Sequence, residues 1–576
     1  MSAIIDAFLD NKSIYLKMKR FDMSMVDYIK ENVKGRRYDP ETKLWVAPII
    51  TPNLKLLISS SHVSEKSKRK LELYKKILSG GTEAVEKKVK NEFPFLRDYQ
   101  VRDVAKYFYP ISVLNANEMG LGKTWETACW IKMVNKGVYL IFCPSPLIYQ
   151  WKDELERQEF NLEINTLEGD KKKRNVFLKD FLVKKVSEKK NRPIILLTNY
   201  EKLLTDDYDL LVTYKYDAII YDEITRLKNY KSKTHQRASE MRAKKVIGLT
   251  GTPMETSIMD IYNIMEIVSP GYFGGFREFS SKYLNKDQWG YVPKHDAHTR
   301  IALKLKFHKA YIRNKKSEVL PELPDLEEKY IKIALDTDEY RNYQKIEDTI
   351  VSQYDIDRDM VITNIVGVLT KLRRFVSEPS IYVPTLKNYG HRSKLKYFIQ
   401  LIESLPVDSK ALCFSCFKEV IVSYSKKLEE LGIKHIVITG DDSAKEKSIK
   451  IKAASSSSKV KAILATDCLK YGANVQFCDY VINIDLPWGP SILNQRIARS
   501  HRLGQTKKVT VFNLVSAFTI EEDVAGLIKE KKENFDESIG LTEYALSKIK
   551  ERVDLARKIK PNERQKKKIT DLLKEL

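Results

Sequence analysis

The sequence is poor in cysteine and in long apolar runs. Its 6 cysteines among 576 residues exclude a fold built on a disulfide framework and favour a reducing compartment. The longest apolar runs, such as residues 137–144, fall far short of the ~20 residues that cross a bilayer. The opening residues MSAIIDAFLDNKS have neither the basic start nor the apolar core of a signal peptide. We therefore expect a cytoplasmic protein that does not bind membranes.

What the chain has in excess is positive charge. Lys and Arg number 101 against 77 Asp and Glu, a net charge of +24, in a composition that is 43% hydrophobic and typical of globular proteins. This balance favours a polyanionic partner such as DNA, RNA or an anionic membrane surface. The alternative is a basic surface kept for solubility. At about 150 residues per domain, the length suggests roughly four domains.

Short β-branched runs alternate with helical stretches in two parts of the chain, which predicts an α/β protein with two parallel-sheet lobes. The predicted strands are residues 111–114, 138–143, 194–198, 217–221 and 245–250 in one part, and 411–414, 435–439, 461–465, 480–484 and 509–515 in the other. Six regions follow: a small α+β unit over 1–60, a linker over 61–92, a first lobe over 93–255, helical protrusions and an inter-lobe link over 256–390, a second lobe over 391–535, and a basic helical tail over 536–576. In the small unit we expect strands at 13–18 and 43–49 and a helix at 23–33.

A glycine-rich turn between a predicted strand and a predicted helix indicates a phosphate-binding loop. The residues that would surround the phosphates are Met119, Gly120, Leu121, Gly122, Lys123 and Thr124. Lys123 would reach the β- and γ-phosphates, and Thr124 would hold Mg²⁺. The strict motif has glycine where this chain has Asn117. The alternative is an ordinary glycine turn before a helix.

Two carboxylates follow a strand that reads as buried, Asp217–Tyr221. Acids at the carboxyl end of such a strand lie where nucleotides bind in α/β proteins. We expect Asp222 to orient Mg²⁺ through water and Glu223 to polarise the attacking water. The alternative is a solvated acidic turn.

A basic segment in the second lobe completes the set of candidates for catalysis. Gln495, Arg499 and Arg502 are spaced i, i+4 and i+7, which predicts one face of a helix. Guanidinium groups suit phosphate oxygens, so this face is expected to contact ATP. The alternative is a basic face in solvent.

Taken in order, these segments resemble the motifs of the Snf2 family of superfamily 2 helicase-like ATPases. The resemblance covers roughly residues 96–529, and its motifs are residues 96–100, 117–124, 143–151, 197–200, 222–229, 249–253, 411–415, 465–476, 485–488 and 495–505. It implies two tandem RecA-like lobes and a DNA-dependent ATPase that uses ATP and Mg²⁺. The chain departs from the family at Asn117, where an acid is usual, and at Thr225, where histidine is usual.

The resemblance also implies roles for single residues. Gln100 would read adenine, while Arg499 and Arg502 would stabilise the charge that develops on the γ-phosphoryl group. Contacts to DNA phosphates, independent of base sequence, would come from Ser145, Trp151, Lys228, Asn229 and Thr466.

Residues 33–45 resemble the HARP module found beside the motor in annealing and fork-remodelling helicases. Arg36 and Arg37, with the ring of Trp45 nearby in sequence, would bind phosphates and unpaired bases. The alternative is that the aromatic residues form the core of a small domain and the charges are merely solvated.

From both resemblances we expect a translocase or helicase that remodels duplex and branched DNA by branch migration, fork regression or strand annealing, in replication, recombination or repair. The alternatives are a motor that displaces proteins from DNA, a strand-separating helicase, and a DNA clamp that does not hydrolyse ATP. We expect a monomer. The Lys- and Ile-rich composition suggests a bacteriophage protein in a host cytoplasm, whereas a eukaryotic protein of this type would lie in the nucleus.

Overall fold

The protein forms two compact units, Met1–Pro321 and Glu322–Leu576. The computed structural model describes residues 5–9, 13–40, 42–49, 51–157, 160–187, 192–254, 257–287, 290–306, 308–309, 311–356, 361–387, 391–470 and 474–533. The tail expected over 536–576 lies outside these described residues. Within the part of the chain that is described, no helix has the length and apolar character needed to cross a membrane.

The first unit begins with a four-stranded antiparallel sheet in the order β1-β2-β4-β3. Its elements are β1 (Ile5–Leu9), β2 (Ser13–Met18), α1 (Met23–Asn32), β3 (Arg37–Asp39) and β4 (Leu44–Pro48). The Asp22 carboxylate caps α1 by accepting a hydrogen bond from the Ser24 N–H at 2.9 Å. The predicted helix and both predicted strands are confirmed, whereas β1 and β3 were not predicted because such short runs show little periodicity.

This small sheet packs directly against the rest of the first unit at two glycines. Gly35 (φ +67) and Gly271 (φ +74) both have left-handed backbone angles, and a Cβ on either would clash with the carbonyl oxygen of the other. Helices α2 (Thr51–Ser59), α3 (Glu65–Ser79) and α4 (Glu83–Glu92) then follow. The stretch predicted as a linker therefore contains two helices.

The centre of the first unit is a fully parallel seven-stranded sheet in the order β13-β5-β10-β9-β6-β8-β7. Its strands are β5 (Val113–Asn115), β6 (Gly137–Cys143), β7 (Glu163–Thr166), β8 (Pro193–Asn199), β9 (Tyr216–Asp222), β10 (Ala243–Leu249) and β13 (Tyr311–Ile312). The register pairs Leu249 with Asn115 on one side and with Asp222 on the other. The predicted phosphate loop and the acid pair therefore leave the same edge of the sheet, one strand apart.

Helices cover this sheet and contribute to its core. They are α5 (Asp98–Lys106), α6 (Lys123–Val134), α7 (Ile148–Arg157), α8 (Lys171–Ser187), α9 (Asp207–Leu211), α10 (Lys233–Glu240), α11 (Ile258–Val268), α12 (Phe276–Tyr283), α13 (Ala297–Lys306) and α14 (Lys316–Val319), with the hairpin β11 (Leu284–Asp287) and β12 (Gly290–Pro293) after α12. Phe273, Phe279 and Tyr283 are buried in the same core, so this aromatic cluster serves packing.

The second unit is built on a six-stranded, fully parallel sheet in the order β14-β19-β18-β15-β17-β16. Its strands are β14 (Leu326–Ile333), β15 (Ala411–Ser415), β16 (His435–Ile438), β17 (Ala462–Thr466), β18 (Tyr480–Asn483) and β19 (Val509–Ser516). Its helices are α15 (Thr337–Ile356), α16 (Val361–Ser377), α17 (Ser393–Ser404), α18 (Lys418–Glu430), α19 (Ala444–Ser456), α20 (Pro490–Ile497) and α21 (Ile520–Glu533).

The predicted fold class is confirmed: each unit contains a parallel-sheet α/β lobe, and all ten strands predicted from the alternation are present. The strands that were not predicted in the two large sheets are β7, β13 and β14. Of these, β13 and β14 lie in the region predicted as mostly helical, and each adds an edge strand to one sheet. A two-residue strand and a mixed, largely polar one carry no clear alternation.

Candidate active site

Residues 116–122 form a tight loop between β5 and α6 at the carboxyl edge of the first sheet. Gly120 (φ +85) and Gly122 (φ +87) adopt left-handed angles that favour glycine. A Cβ on Gly122 would lie only 2.5 Å from Gln100 Nε2. Lys123 and Thr124 open α6 directly after the loop. Backbone N–H groups and a helix N-terminus are thus positioned to receive phosphates.

Gln100, the predicted adenine reader, is buried on α5 and holds this loop. Its Nε2 donates to the Leu121 carbonyl at 3.2 Å, and its Oε1 accepts the Arg97 N–H at 3.1 Å. The Tyr99 hydroxyl donates to the same Leu121 carbonyl at 2.9 Å. These bonds fix the end of the loop that also contains Met119 and Gly120.

The Lys123 ammonium group lies over the loop and near both acids. It donates to the carbonyls of Asn117 at 2.7 Å and Glu118 at 3.3 Å. Burial lowers the pKa of Lys123, while the negative charges of Glu223 and Asp222 act in the opposite direction. Because those charges act on Lys123, the structure brings together the three predicted catalytic residues of the first lobe.

Asp222 ends β9 and is only 8% exposed, which excludes a solvated acidic turn. Its Oδ1 accepts the Glu223 N–H at 3.0 Å, and its Oδ2 accepts the Trp151 indole N–H at 2.7 Å. Glu223 has φ +53, a left-handed angle that is unusual for a residue with a side chain. Such backbone strain is concentrated at functional sites.

The oxygen atoms of Thr124 and Asp222 are the hard donors that Mg²⁺ prefers. Mg²⁺ usually keeps waters and takes phosphate oxygens in addition to one or two carboxylates. In the described residues, no group of three or more His, Cys, Asp or Glu side chains could hold a metal by itself. The donor set therefore fits a Mg²⁺ ion bound together with nucleotide phosphates.

Beneath the loop lies a buried polar network that was not predicted from the sequence. Asn117 Nδ2 donates to Asp103 Oδ2 at 2.8 Å and to Glu126 Oε1 at 3.5 Å, and its Oδ1 accepts the Asn314 N–H at 2.8 Å. Burial raises the pKa of both Asp103 and Glu126. An acid at position 117 would add a third carboxyl group to this buried pair and could not donate hydrogen bonds to it when ionised. The need for a neutral donor explains why the residue there is an asparagine.

Arg313 is a second residue that was missed. Following β13, its Nη1 donates to the carbonyls of Ala116 at 2.5 Å and Gly251 at 2.9 Å. It therefore ties the phosphate loop to the turn after β10. The preceding apolar pair Tyr311–Ile312 is the only sequence signal, and it is too short to be read as a strand.

The predicted DNA contacts of the first unit fall on its surface, with two exceptions described below. Ser145 is exposed; its Oγ accepts a hydrogen bond from Asn199 Nδ2 at 3.0 Å and donates to Glu201 Oε2 at 3.2 Å. Lys228 is partly exposed and pairs with Asp260 at 3.7 Å. Asn229 is exposed, and its Oδ1 accepts the N–H of Lys231 at 3.0 Å.

Two predicted DNA contacts are wrong because their side chains are buried. Trp151 is 1% exposed on the inner face of α7, and Trp45 is 9% exposed in β4. Trp45 packs against Tyr38 with ring centroids 5.3 Å apart, so it belongs to the core of the small domain. Arg36 and Arg37, in contrast, are exposed beside Tyr38.

The predicted helical face in the second unit is also wrong. Helix α20 ends at Ile497, so Gln495 lies on the helix whereas Arg499 and Arg502 lie in the turn after it. Arg499 Nε donates back to the Gln495 carbonyl at 3.2 Å. Thr466 ends β17 and is half-buried. A spacing of i, i+4 and i+7 cannot show where a helix stops.

The residue that organises this part of the second unit is Arg496, which was not predicted. It is fully buried and donates to Asp467 Oδ1 at 2.7 Å, Asn483 Oδ1 at 3.1 Å and the Asp485 carbonyl at 2.8 Å. It thereby ties α20 to the ends of β17 and β18. Nothing in the sequence distinguishes it from Arg499 and Arg502.

Comparison with protein families agrees with this architecture. The SNF2-related domain matches residues 70–381, more than half of the chain, and the helicase conserved C-terminal domain matches residues 393–504. The chain therefore belongs to the SNF2-related family. By class it is a DNA-dependent ATPase with the two domains of an ATP-dependent helicase or translocase.

Individual relatives are distant. The chain is 26% identical to the uncharacterized ATP-dependent helicase YqhH of Bacillus subtilis over 75% of this chain and 77% of that protein. It is 25% identical to an uncharacterized ATP-dependent helicase of Mycoplasma pneumoniae over 73% of this chain but only 39% of that protein. Among solved structures, the SWI2/SNF2 ATPase core of Sulfolobus solfataricus in complex with dsDNA matches 78% of this chain and 94% of that chain, with 24% identity and a TM-score of 0.36.

Proposed function

We propose that this protein is an ATP-driven DNA translocase that remodels branched DNA. The observation that supports the motor most directly is the convergence of Lys123, Asp222 and Glu223 at one edge of a parallel sheet. A cation over a glycine loop, beside a buried acid and a second acid at a strained backbone position, is the arrangement that phosphoryl transfer to water needs.

In this proposal ATP binds with its phosphates at the N-terminus of α6. Lys123 exchanges the carbonyls of Asn117 and Glu118 for β- and γ-phosphate oxygens, and Gln100 contacts adenine from its place against the loop. Glu223 orients the attacking water and accepts its proton. Thr124 and Asp222 hold Mg²⁺, which neutralises phosphate charge when it is bound.

Arg499 and Arg502 supply positive charge to the γ-phosphoryl group during turnover. Gln495, whose side-chain Oε1 is buried and makes no hydrogen bond within the described residues, is proposed as a further nucleotide contact. Support comes from the position of both arginines in the turn directly after α20, the helix that the buried Arg496 ties to the ends of β17 and β18.

DNA is bound through its phosphates and without base specificity. In the first unit the proposed contacts are Ser145, Lys228 and Asn229, and in the second unit Thr466. The net charge of +24 supports a polyanionic partner, and phosphate contacts make binding salt-dependent. We therefore expect ATPase stimulation by duplex DNA to fall steeply with added salt.

The branched-DNA specificity is assigned to the HARP-like N-terminal sheet. Its exposed Arg36 and Arg37 lie next to Gly35, which contacts Gly271 of the first lobe. Because that contact fixes the sheet on the motor lobe, phosphates held by these arginines keep a defined position relative to the first lobe. We expect a monomer, acting in the cytoplasm of a bacterium or of a phage-infected cell.

The test is steady-state ATP hydrolysis with forked DNA, a four-way junction, linear duplex, single-stranded DNA and RNA at fixed salt. The proposal predicts the largest stimulation by the branched DNAs and little by RNA. Arg36→Ala with Arg37→Ala should reduce the advantage of branched over linear DNA while the response to linear duplex stays. Equal stimulation by linear and branched DNA would reduce the function to that of a general translocase.

A further inference from the structure

Trp151 belongs to a segment predicted to contact DNA, yet its side chain points into the active site. Its indole Nε1 donates to Asp222 Oδ2 at 2.7 Å, and the ring is 1% exposed. An indole N–H can donate a hydrogen bond but cannot accept one. It is therefore suited to hold a carboxylate oxygen in place. The bond leaves the other oxygen of Asp222 to accept the Glu223 N–H.

Tyr200 holds the same residue from a second direction. Its hydroxyl donates to the main-chain carbonyl of Asp222 at 2.7 Å, and its ring is stacked against Phe142 and Tyr221. The side chain of Asp222 and its main chain are therefore each fixed by a buried aromatic residue. Buried groups packed in this way transmit displacements because the interior is close-packed.

Both aromatic residues are joined to the exposed Ser145. Ser145 opens the 3₁₀ turn Ser145–Leu147 that leads into α7, the helix that carries Trp151. Its hydroxyl also bonds to the two residues that flank Tyr200: it accepts from Asn199 at 3.0 Å and donates to Glu201 at 3.2 Å. One surface hydroxyl is thus connected to both supports of Asp222.

We propose that Trp151 and Tyr200 are positioning residues that set the Mg²⁺-binding geometry of Asp222 and couple it to a DNA phosphate bound at Ser145. This inference rests on the proposed function for the DNA contact. It accounts for a DNA-dependent ATPase within one lobe, since the contact site and the acid are linked by the hydrogen bonds of Ser145 and by the short chain segments that carry Trp151 and Tyr200.

Two arrangements of Ser145 make the coupling possible. Its single O–H is donated to Glu201, which in turn lies 3.5 Å from Arg226. A phosphate oxygen at Ser145 would accept that O–H and repel the Glu201 carboxylate toward Arg226. Glu201 and Asn199 adjoin Tyr200, so this exchange bears on the bond between Tyr200 and Asp222. A bound phosphate can shift the equilibrium between these two arrangements of Ser145 only if it binds one of them more tightly than the other.

The test uses the full chain and measures the affinity for a fluorescent, non-hydrolysable ATP analogue with Mg²⁺ and with EDTA. Residues that orient metal ligands typically change metal affinity or activity by 10- to 100-fold when they are replaced. We expect Trp151→Phe, which keeps an aromatic ring but removes the N–H, to weaken binding about tenfold with Mg²⁺ and not with EDTA. Trp130→Phe is the matched control, because Trp130 is a buried indole that packs edge-on against Tyr107 and Tyr139.

A second readout is the ratio of ATP hydrolysis with and without duplex DNA. Trp151→Phe, Tyr200→Phe and Ser145→Ala should each lower this ratio severalfold, with DNA affinity reduced only in Ser145→Ala. Thermal unfolding of each variant shows whether it folds. If Trp151→Phe does not fold, the stimulation ratio of Tyr200→Phe tests the proposal. Equal losses of analogue binding in Mg²⁺ and EDTA, or an unchanged stimulation ratio, would overturn the inference. If the wild-type enzyme were not stimulated by any DNA, the proposed function would fail, while the Mg²⁺-dependent affinity would still decide the role of Trp151.

Discussion

Buried charges have different surroundings in the two units. Around the phosphate loop of the first unit, buried charges are held by neutral groups: Asn117 donates to both Asp103 and Glu126. The Lys245 ammonium group donates to the carbonyls of Tyr107 at 2.5 Å and Tyr109 at 2.7 Å, and burial lowers its pKa to about 7. These groups lie around the strand and helix that support the phosphate loop.

In the second unit, the buried Lys394 and Arg496 are each paired with a carboxylate. Lys394 contacts Glu521 at 2.5 Å, and Arg496 contacts Asp467 at 2.7 Å. Shifted ionisable groups concentrate at reactive sites, whereas a closed ion pair that ties elements together serves the scaffold. We take this contrast as support for the proposal that the chemical step depends on the first unit and that Arg496 is a structural residue.

The largest effect is expected from Lys123→Ala. Removing the cation that would face the β- and γ-phosphates should lower the ATP hydrolysis rate about 10³-fold. The matched control is Lys132→Ala in the same helix, whose ammonium group lies 5.9 Å from the Phe160 ring centroid. Steady-state hydrolysis at saturating DNA measures both. If the Lys123→Ala enzyme kept a tenth of the wild-type hydrolysis rate, this would contradict the proposal that Lys123 in the first unit is a catalytic residue.

The neighbouring arginines separate catalysis from stability. Arg499→Ala and Arg502→Ala should each lower the hydrolysis rate about 10²-fold or more and change thermal unfolding much less than Arg496→Ala does. Arg496→Ala should instead destabilise the second unit by about 3–5 kcal/mol, since it leaves buried partners unpaired. Calorimetry alongside the ATPase assay distinguishes the two. Similar unfolding temperatures for all three variants would contradict the structural role of Arg496.

The network beneath the loop is tested by Asn117→Asp. A third carboxyl group beside Asp103 and Glu126 should cost about 2 kcal/mol of unfolding free energy and weaken ATP binding. Adding Glu126→Gln restores one neutral amide to the cluster, so the double variant should recover most of the loss. Denaturant unfolding of the two single variants and the double variant measures the coupling. Simple additivity would show that the three side chains do not act together.

The smallest effect is a pH dependence of stability. The pKa of Lys245 is about 7 in the folded protein and 10.5 in its ordinary state, so above pH 7 the unfolded chain binds more protons than the folded one. Stability therefore rises with pH between about 7 and 10, by on the order of 1 kcal/mol per pH unit. Lys245→Met should lack this rise, and unfolding at pH 7 and pH 9 compares the two proteins. If the unfolding free energies of the two proteins changed equally between pH 7 and pH 9, Lys245 would be charged throughout this range in the folded protein.

The placement of the motif residues was predictable where it depends on residue type and order. The glycine turn, Lys123 and the acid pair follow from local spacing next to buried strands, and the parallel sheets follow from alternation. Burial was not predictable: Trp45 and Trp151 could equally be platforms for bases or core residues. Helix ends were not predictable either, which is why Arg499 and Arg502 were placed on a helix that stops at Ile497.

Partners from distant parts of the chain were the hardest to foresee. Asn314 and Arg313 reach the phosphate loop from nearly 200 positions away, through an edge strand of only two residues. The amide at position 117 is explained by Asp103 and Glu126, acids on α5 and α6 whose proximity is not indicated by any local pattern in the sequence. Such contacts depend on the tertiary fold.

The most direct measurement is ATP turnover by Glu223→Gln on duplex DNA, with ATP and DNA affinities measured on the same preparation. The variant keeps the shape of the side chain and removes its capacity to accept a proton. The account predicts affinities within about twofold of wild type and a hydrolysis rate reduced about 10³-fold. Equal rates for the variant and the wild-type protein would contradict it.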